Sequence, residues 1–171
     1  MACITKYRLV LSTFMLGLIL SGVTAFPLAW EMRLLTTWLG INPSLPPDHY
    51  SGLAFWLTTA NRGLHETYTS YPWVAYGTDC LGFAHIAIAM YFIGPLVNPL
   101  RNDWVLYAGL LGCGLVLPLA LICGPLRGIP FYWRLIDCSF GIFGALALLY
   151  CLHLTHLMRK TTSTQGMEIP S

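Results

Sequence analysis

Four stretches of this chain are long and apolar enough to cross a bilayer, whose hydrocarbon core takes ~20 helical residues to span. They cover about residues 9–30, 73–97, 104–123 and 133–155. In hydrocarbon a backbone can satisfy its N–H and C=O groups only as a helix or a closed barrel, and runs of this length select the helix. Composition supports the same reading. Charged residues make up 9% of the 171 residues, against about 25% in a soluble domain, so a soluble fold would lack polar surface. Trp30, Trp73, Trp104 and Trp133 stand at the ends of the runs, where indole rings anchor helices at headgroup level. The predicted fold is an all-α integral membrane protein, one domain over 1–171. It has four transmembrane helices in a bundle and one or two amphipathic interfacial helices in the first loop, 31–72.

Orientation follows from the basic residues. With the amino terminus inside, Lys6, Arg8, Arg101, Arg159 and Lys160 face the cytoplasm, and Arg33, Arg62, Arg127 and Arg134 face outward; the excess is in the positive-inside sense. Lys6, Arg8 and the Val23-Thr24-Ala25 tripeptide also resemble a signal peptide and its cleavage site. Apolar residues continuing to Trp30 favour an uncleaved first helix, and either choice exports the segment that follows. The predicted location is the inner (plasma) membrane, multi-pass, with both termini cytoplasmic and residues 159–171 as a disordered tail.

The loop 31–72 is too apolar to be free. Trp30, Leu34, Leu35, Trp38 and Leu39 share one helical face, and Gly40 supplies a stop. The run from Asn42 to Asp48 is a turn-rich break. A second helix starts near Ser51 with Leu53, Trp56, Leu57, Ala60 and Leu64 at helical spacing, while Asn61, Arg62 and His65 lie elsewhere on it. Short helices rich in Trp and Leu suit the headgroup plane. They serve as a packed lid or as a lid over a site.

Ionisable groups inside such a chain are costly and need a partner, water or a ligand. The segment GPLRGIPFYWRLID, Gly124 to Asp137, ends one apolar run, turns, and places Arg134 and Asp137 one helical turn apart. Asp79 and His85 lie in the second span, about 120° apart around a helix; Thr78 and His85 share a face. Small residues predict the packed faces. In the fourth span they continue the stripe of Arg134 and Asp137 through Gly141, Gly144, Ala145 and Leu148. In the third they follow Gly109, Cys113, Val116 and Ala120, with a bend at Pro118. In the second they follow Gly77, Ala84 and Tyr91. The candidate site is thus a polar cluster in the outer leaflet: Glu31, His65, Asp79, His85, Arg127, Arg134 and Asp137. An apolar wall with a few fixed polar groups is what a ligand pocket needs. The competing reading is an ion-pair staple, Asp137 with Arg127 or Arg134 and Asp79 with another arginine.

Other chemistries find no pattern. The six cysteines contain no C-x-x-C, which argues against a thiol-disulfide oxidoreductase. Cys80, Cys123 and Cys138 can form one disulfide, or all serve as small packing thiols. His153 lies near the inner end of its helix and His85 in the outer half or the middle of its own, so they do not pair as haem ligands. No metal-ligand spacing, hydrolase motif or phosphate loop is present. No cofactor and no metal are therefore predicted. Nucleic acid is excluded as a partner because no basic, aromatic-interleaved patch exists. The predicted partners are membrane lipids, with a membrane-protein partner or a second copy of the chain also open.

The segments YGTDCLGFAHIAIA, IGPLVNPLRNDWV and GPLRGIPFYWRLIDCSFG resemble a family of small uncharacterised bacterial inner-membrane proteins, over about residues 71–149. That resemblance implies architecture and location and carries no activity. Span count and length are also similar to the sterol-isomerase and sigma-2 receptor class, an analogy of architecture alone. Three functions stay open: binding of a lipid headgroup or small amphiphile (or docking of a partner) at the outer cluster; a membrane enzyme on a lipid or isoprenoid-like substrate, with Asp79, His85 or Asp137 as acid/base and Arg127 or Arg134 holding an anionic group; and a structural or assembly subunit.

Overall fold

A computed structural model of the chain describes residues 2–42 and 44–166. It is 86% helical, with no strand among the described residues. Four segments are long and apolar enough to span a membrane: Cys3–Ala25, Pro72–Val97, Asp103–Leu126 and Phe131–Thr161. The protein is therefore an all-α, multi-pass membrane protein. Its contacts group into two compact units, Met1–Gly17 with Ile88–Ser171, and Leu18–Ala87. The division falls inside the first and fourth helices, and each unit is described separately below.

Helix α1, Ala2–Ala25, ends earlier than its apolar run. The run to Trp30 is in fact two elements, because Pro27 lacks an N–H and disfavours helix at the residue before it. The Pro27 carbonyl then accepts from Trp30 N at 2.8 Å and Glu31 N at 2.9 Å, opening α2, Leu28–Trp38. Trp30 thus lies on α2 rather than at the end of the first span. Lys6 and Arg8 lie inside α1 rather than before it.

Within the unit Leu18–Ala87, α2 and α3 (Gly52–Ser70) form a helical hairpin. Gly40 stops α2 in the left-handed region, at φ +67°. Its N–H donates to the Thr37 carbonyl and that of Ile41 to the Thr36 carbonyl, at 3.1 and 3.0 Å. This paired pattern closes a helix with a glycine. Ile41 is thereby turned into the hairpin core with Met32 and Leu57, backed by Tyr50, Ala54, Trp56, Ala60 and Leu64. The predicted face of α3 packs as expected except for Leu53, which is exposed. The predicted face of α2 does not. Met32 and Thr36 are its buried residues, while Trp30, Leu35 and Trp38 stay exposed. The connecting loop is held by Asn42, whose N–H donates to the Tyr50 hydroxyl at 2.9 Å and whose side-chain oxygen accepts from Ser44 N at 3.0 Å. Gly40→Ala is expected to destabilise the hairpin by about 1 kcal/mol through the left-handed backbone, read as earlier proteolysis of the 41–51 loop; unchanged proteolysis would contradict this.

Helix α4, Ala75–Tyr91, follows a single turn at Pro72–Val74. Its close partner within this unit is α1. A Cβ on Gly22 would meet the Gly82 carbonyl at 2.6 Å, and a Cβ on Gly82 would meet the Gly22 carbonyl at 2.6 Å. The two backbones touch directly, as small residues permit in lipid. The packed face of α4 therefore carries Gly82. The face predicted from Gly77, Ala84 and Tyr91 is exposed, and Gly77 has nothing within 4 Å of its would-be Cβ.

In the other unit, a short helix α5, Ile93–Val97, leads to the turn at 98–102. Asn102 closes that turn, its Nδ2 donating to the Gly94 carbonyl at 3.1 Å and the Asn98 carbonyl at 3.2 Å. Helix α6, Asp103–Pro118, then widens into a π-type turn over Leu119–Cys123 directly after Pro118, where the chain was expected to bend. A single helical turn, α7 (Gly124–Leu126), precedes α8, Phe131–Gly166. The predicted stripes of α6 and α8 meet. Gly141 lies against the Cys113 carbonyl and Val116, Gly144 against the Cys113 sulfur and Phe14, and Gly109 against Phe92 and Leu148. Helix α8 runs on through residues 159–166, expected as tail, since no glycine or proline lies between Gly144 and Gly166. There Arg159 donates to the Leu100 carbonyl at 3.2 Å and pairs with Asp103 at 3.0 Å. The remainder of the expected tail, 167–171, lies outside the described residues. All six cysteines are free, so no disulfide joins Cys80, Cys123 and Cys138.

Candidate functional site

The seven predicted site residues divide between the two units: Glu31, His65, Asp79 and His85 in one, Arg127, Arg134 and Asp137 in the other. Arg134 is half-buried on α8, and its stem fills the space beside Gly124, where a Cβ would meet Arg134 Cδ at 2.5 Å. Its guanidinium carbon stands 5.3 Å from the Phe131 ring centroid, a cation–π geometry. Its Nε is shielded and makes no hydrogen bond. Asp137 is half-buried one turn further on, and Arg127 is exposed after α7. No ion pair joins Asp137 to Arg127 or Arg134 within this unit.

In the other unit Asp79 is half-buried on α4 and makes no ion pair or hydrogen bond within its unit. Thr78 beside it donates to the Ala75 carbonyl at 2.7 Å and lies 3.2 Å from the Tyr68 hydroxyl. His85 is on the packed face next to Gly22, with its Nδ1 shielded and unbonded. The carbonyl or hydroxyl partner that an apolar histidine usually finds is therefore missing at this nitrogen. Glu31 is half-buried in the first turn of α2, where a carboxylate suits the positive helix end.

His65 faces a cavity. The cavity, about 630 Å³, opens between α2, the 44–46 loop and α3, and its size suits a small ligand, for which pockets run to roughly 300–1,000 Å³. Arg33, Thr36 and Thr37 form one wall, Ser44, Leu45 and Pro46 the loop side, and Thr58, Asn61, Arg62, His65 and Glu66 the other wall. The threonine hydroxyls are committed to their own helices: Thr36 to the Met32 and Arg33 carbonyls, Thr37 to Arg33, Thr58 to Ala54. Arg62 Nε donates to Glu66 Oε1 at 2.7 Å, and this carboxylate raises the Arg62 pKa above its ordinary value. Two arginines against one glutamate leave one positive charge, and the Arg33 guanidinium faces the cavity without a carboxylate partner in its unit. Arg33, Arg62 and Glu66 were absent from the predicted set. Their signal was present as polar positions one turn apart on each helix, Arg33 with Thr37 and Asn61 and Arg62 with His65 and Glu66, facing each other across a hairpin.

Compared with protein-family models, with curated proteins and with solved structures, the chain finds no match. The fold and the cavity thus define its class: a four-span, all-α membrane protein with a cationic cavity in the helical hairpin that follows the first span.

Proposed function

We propose that the α2–α3 hairpin binds the anionic headgroup of a lipid or small amphiphile in this cavity. The observation that carries the proposal is the unpaired Arg33 guanidinium on the cavity wall opposite the Arg62–Glu66 pair. Guanidinium groups bind phosphate and carboxylate oxygens bidentately, and Asn61, Ser44 and His65 offer further polar contacts on the same walls. The exposed Trp30, Leu35 and Trp38 of α2 support residence at the headgroup level, where indole and leucine side chains lie in the interface. With the hairpin outside and both termini cytoplasmic, the site faces the outer leaflet of the inner membrane. The staple alternative gains nothing from the absence of its ion pairs at Asp79 and Asp137 within their units.

The test is titration of full-length protein in neutral detergent with short-chain phosphatidylglycerol, followed by tryptophan fluorescence. Saturable binding is expected, with Arg33→Gln lowering affinity about tenfold to a hundredfold, the range of a hydrogen bond to a charged group. Equal affinity in the Arg33→Gln protein would overturn the assignment.

A further inference from the structure

The geometry points to a second lipid site, independent of the hairpin, in the unit formed by Met1–Gly17 and Ile88–Ser171: a groove between the start of α1 and the end of α8 that takes a phospholipid with an anionic headgroup. The groove, about 340 Å³, is lined by Cys3, Lys6, Tyr150, His153, Leu154 and Leu157. Two contacts set the register of the helices that form it. The Cys3 thiol lies 3.8 Å from the Leu154 carbonyl and the Cys151 thiol 4.0 Å from the Tyr7 carbonyl. This places Lys6 and His153 on opposite sides of one cleft.

Both residues sit within membrane-spanning segments. Lys6 is three residues from the Cys3 end of the first apolar segment and His153 eight residues from the Thr161 end of the fourth, so both lie toward the same ends of their helices as Arg8 and Arg159. Both are exposed on the outer surface of helices that span the membrane. An exposed cation there is costly unless it reaches the interface or finds a counter-charge. Among the described residues no carboxylate lines the groove, and the Asp103 carboxylate of this unit is held by Arg159 at 3.0 Å. The missing counter-charge is supplied by a lipid phosphate accepting from Lys6 Nζ, with the His153 ring and the Tyr150 hydroxyl as further polar partners. Leu154 and Leu157 give the apolar wall along which an acyl chain lies. Basic pockets between spans hold anionic headgroups by this combination.

The inference is tested by native mass spectrometry of the full-length protein carrying Arg33→Gln and Arg62→Gln, so that the hairpin cavity does not contribute. Phosphatidylglycerol and phosphatidylcholine of matched chains are offered at equal concentration. A preference for phosphatidylglycerol is expected. Lys6→Gln should lower it about fivefold, the contribution of one basic residue at an anionic surface. Lys6→Gln with His153→Gln should bring it to parity, while Lys6→Arg should preserve it. Lys6 and His153 are exposed, so the elution profile of each variant on size exclusion should match the parent. Equal uptake of the two lipids by the parent, or an undiminished preference in Lys6→Gln, would overturn the assignment.

Discussion

Phe92→Ala is expected to destabilise the protein by about 4 kcal/mol, as loss of a buried phenyl ring does, which for a chain of this size lowers the thermal midpoint by about 10 °C. Phe92 is 2% exposed and meets Phe14 edge to face, with ring centroids 5.1 Å apart. Its ring tip occupies the space where a Gly109 Cβ would stand, 2.7 Å away, and Leu148, fully buried, closes the same notch. The ring therefore sits in a socket whose floor is a glycine. Gly109→Leu should be damaging for the complementary reason, because its side chain and the Phe92 ring cannot share that space. A thermal midpoint unchanged by Phe92→Ala in detergent would contradict this packing.

Gly82→Leu carries the second large effect. Its Cβ would lie 2.6 Å from the Gly22 carbonyl oxygen and 2.9 Å from the Phe26 ring, so the contact opens only if α1 and α4 separate locally. Overpacking of this kind costs about 3 kcal/mol. The informative control lies on the same helix. Gly77 is exposed and has nothing within 4 Å of its would-be Cβ; Gly77→Leu should be neutral or slightly stabilising, since glycine costs about 1 kcal/mol relative to alanine in a helix. Equal loss at both positions would show that α4 presents a different face.

The same pair of glycines shows where the sequence was legible. The spans follow from length and apolarity alone, and the α6–α8 contact follows from Gly141, Gly144 and Leu148 standing out against bulky neighbours. In α4 small residues occur at 75, 77, 80, 82, 84, 87 and 89, which surround the helix, so periodicity does not select a face. The choice of Gly82 depends on a partner, Gly22, that lies 60 residues away in sequence. The first span was placed too far along the chain, at 9–30 and not Cys3–Ala25, because hydropathy does not register that Pro27 ends one helix and begins another. On α2 the aromatic face was legible, but whether it packs or stays exposed depends on Met32 and Thr36 meeting α3. For the candidate cluster, the intramembrane charges drew attention by their cost, and His65 was included because the amphipathic loop helix that carries it was expected on the same outer side. The arginine that faces the cavity, Arg33, is inexpensive in an amphipathic helix and gave no such signal.

The central claim, an anionic headgroup on Arg33 in the cavity it shares with the Arg62–Glu66 pair, is tested most directly by native mass spectrometry of protein released from its own membranes. The starting protein carries Lys6→Gln and His153→Gln, so that the groove at the helix ends no longer prefers an anionic lipid. An anionic amphiphile should leave the membrane with this protein and be lost when Arg33→Gln and Arg62→Gln are added, with the elution profile on size exclusion unchanged. An adduct that survives the arginine substitutions, or no adduct while both arginines are present, would contradict the account.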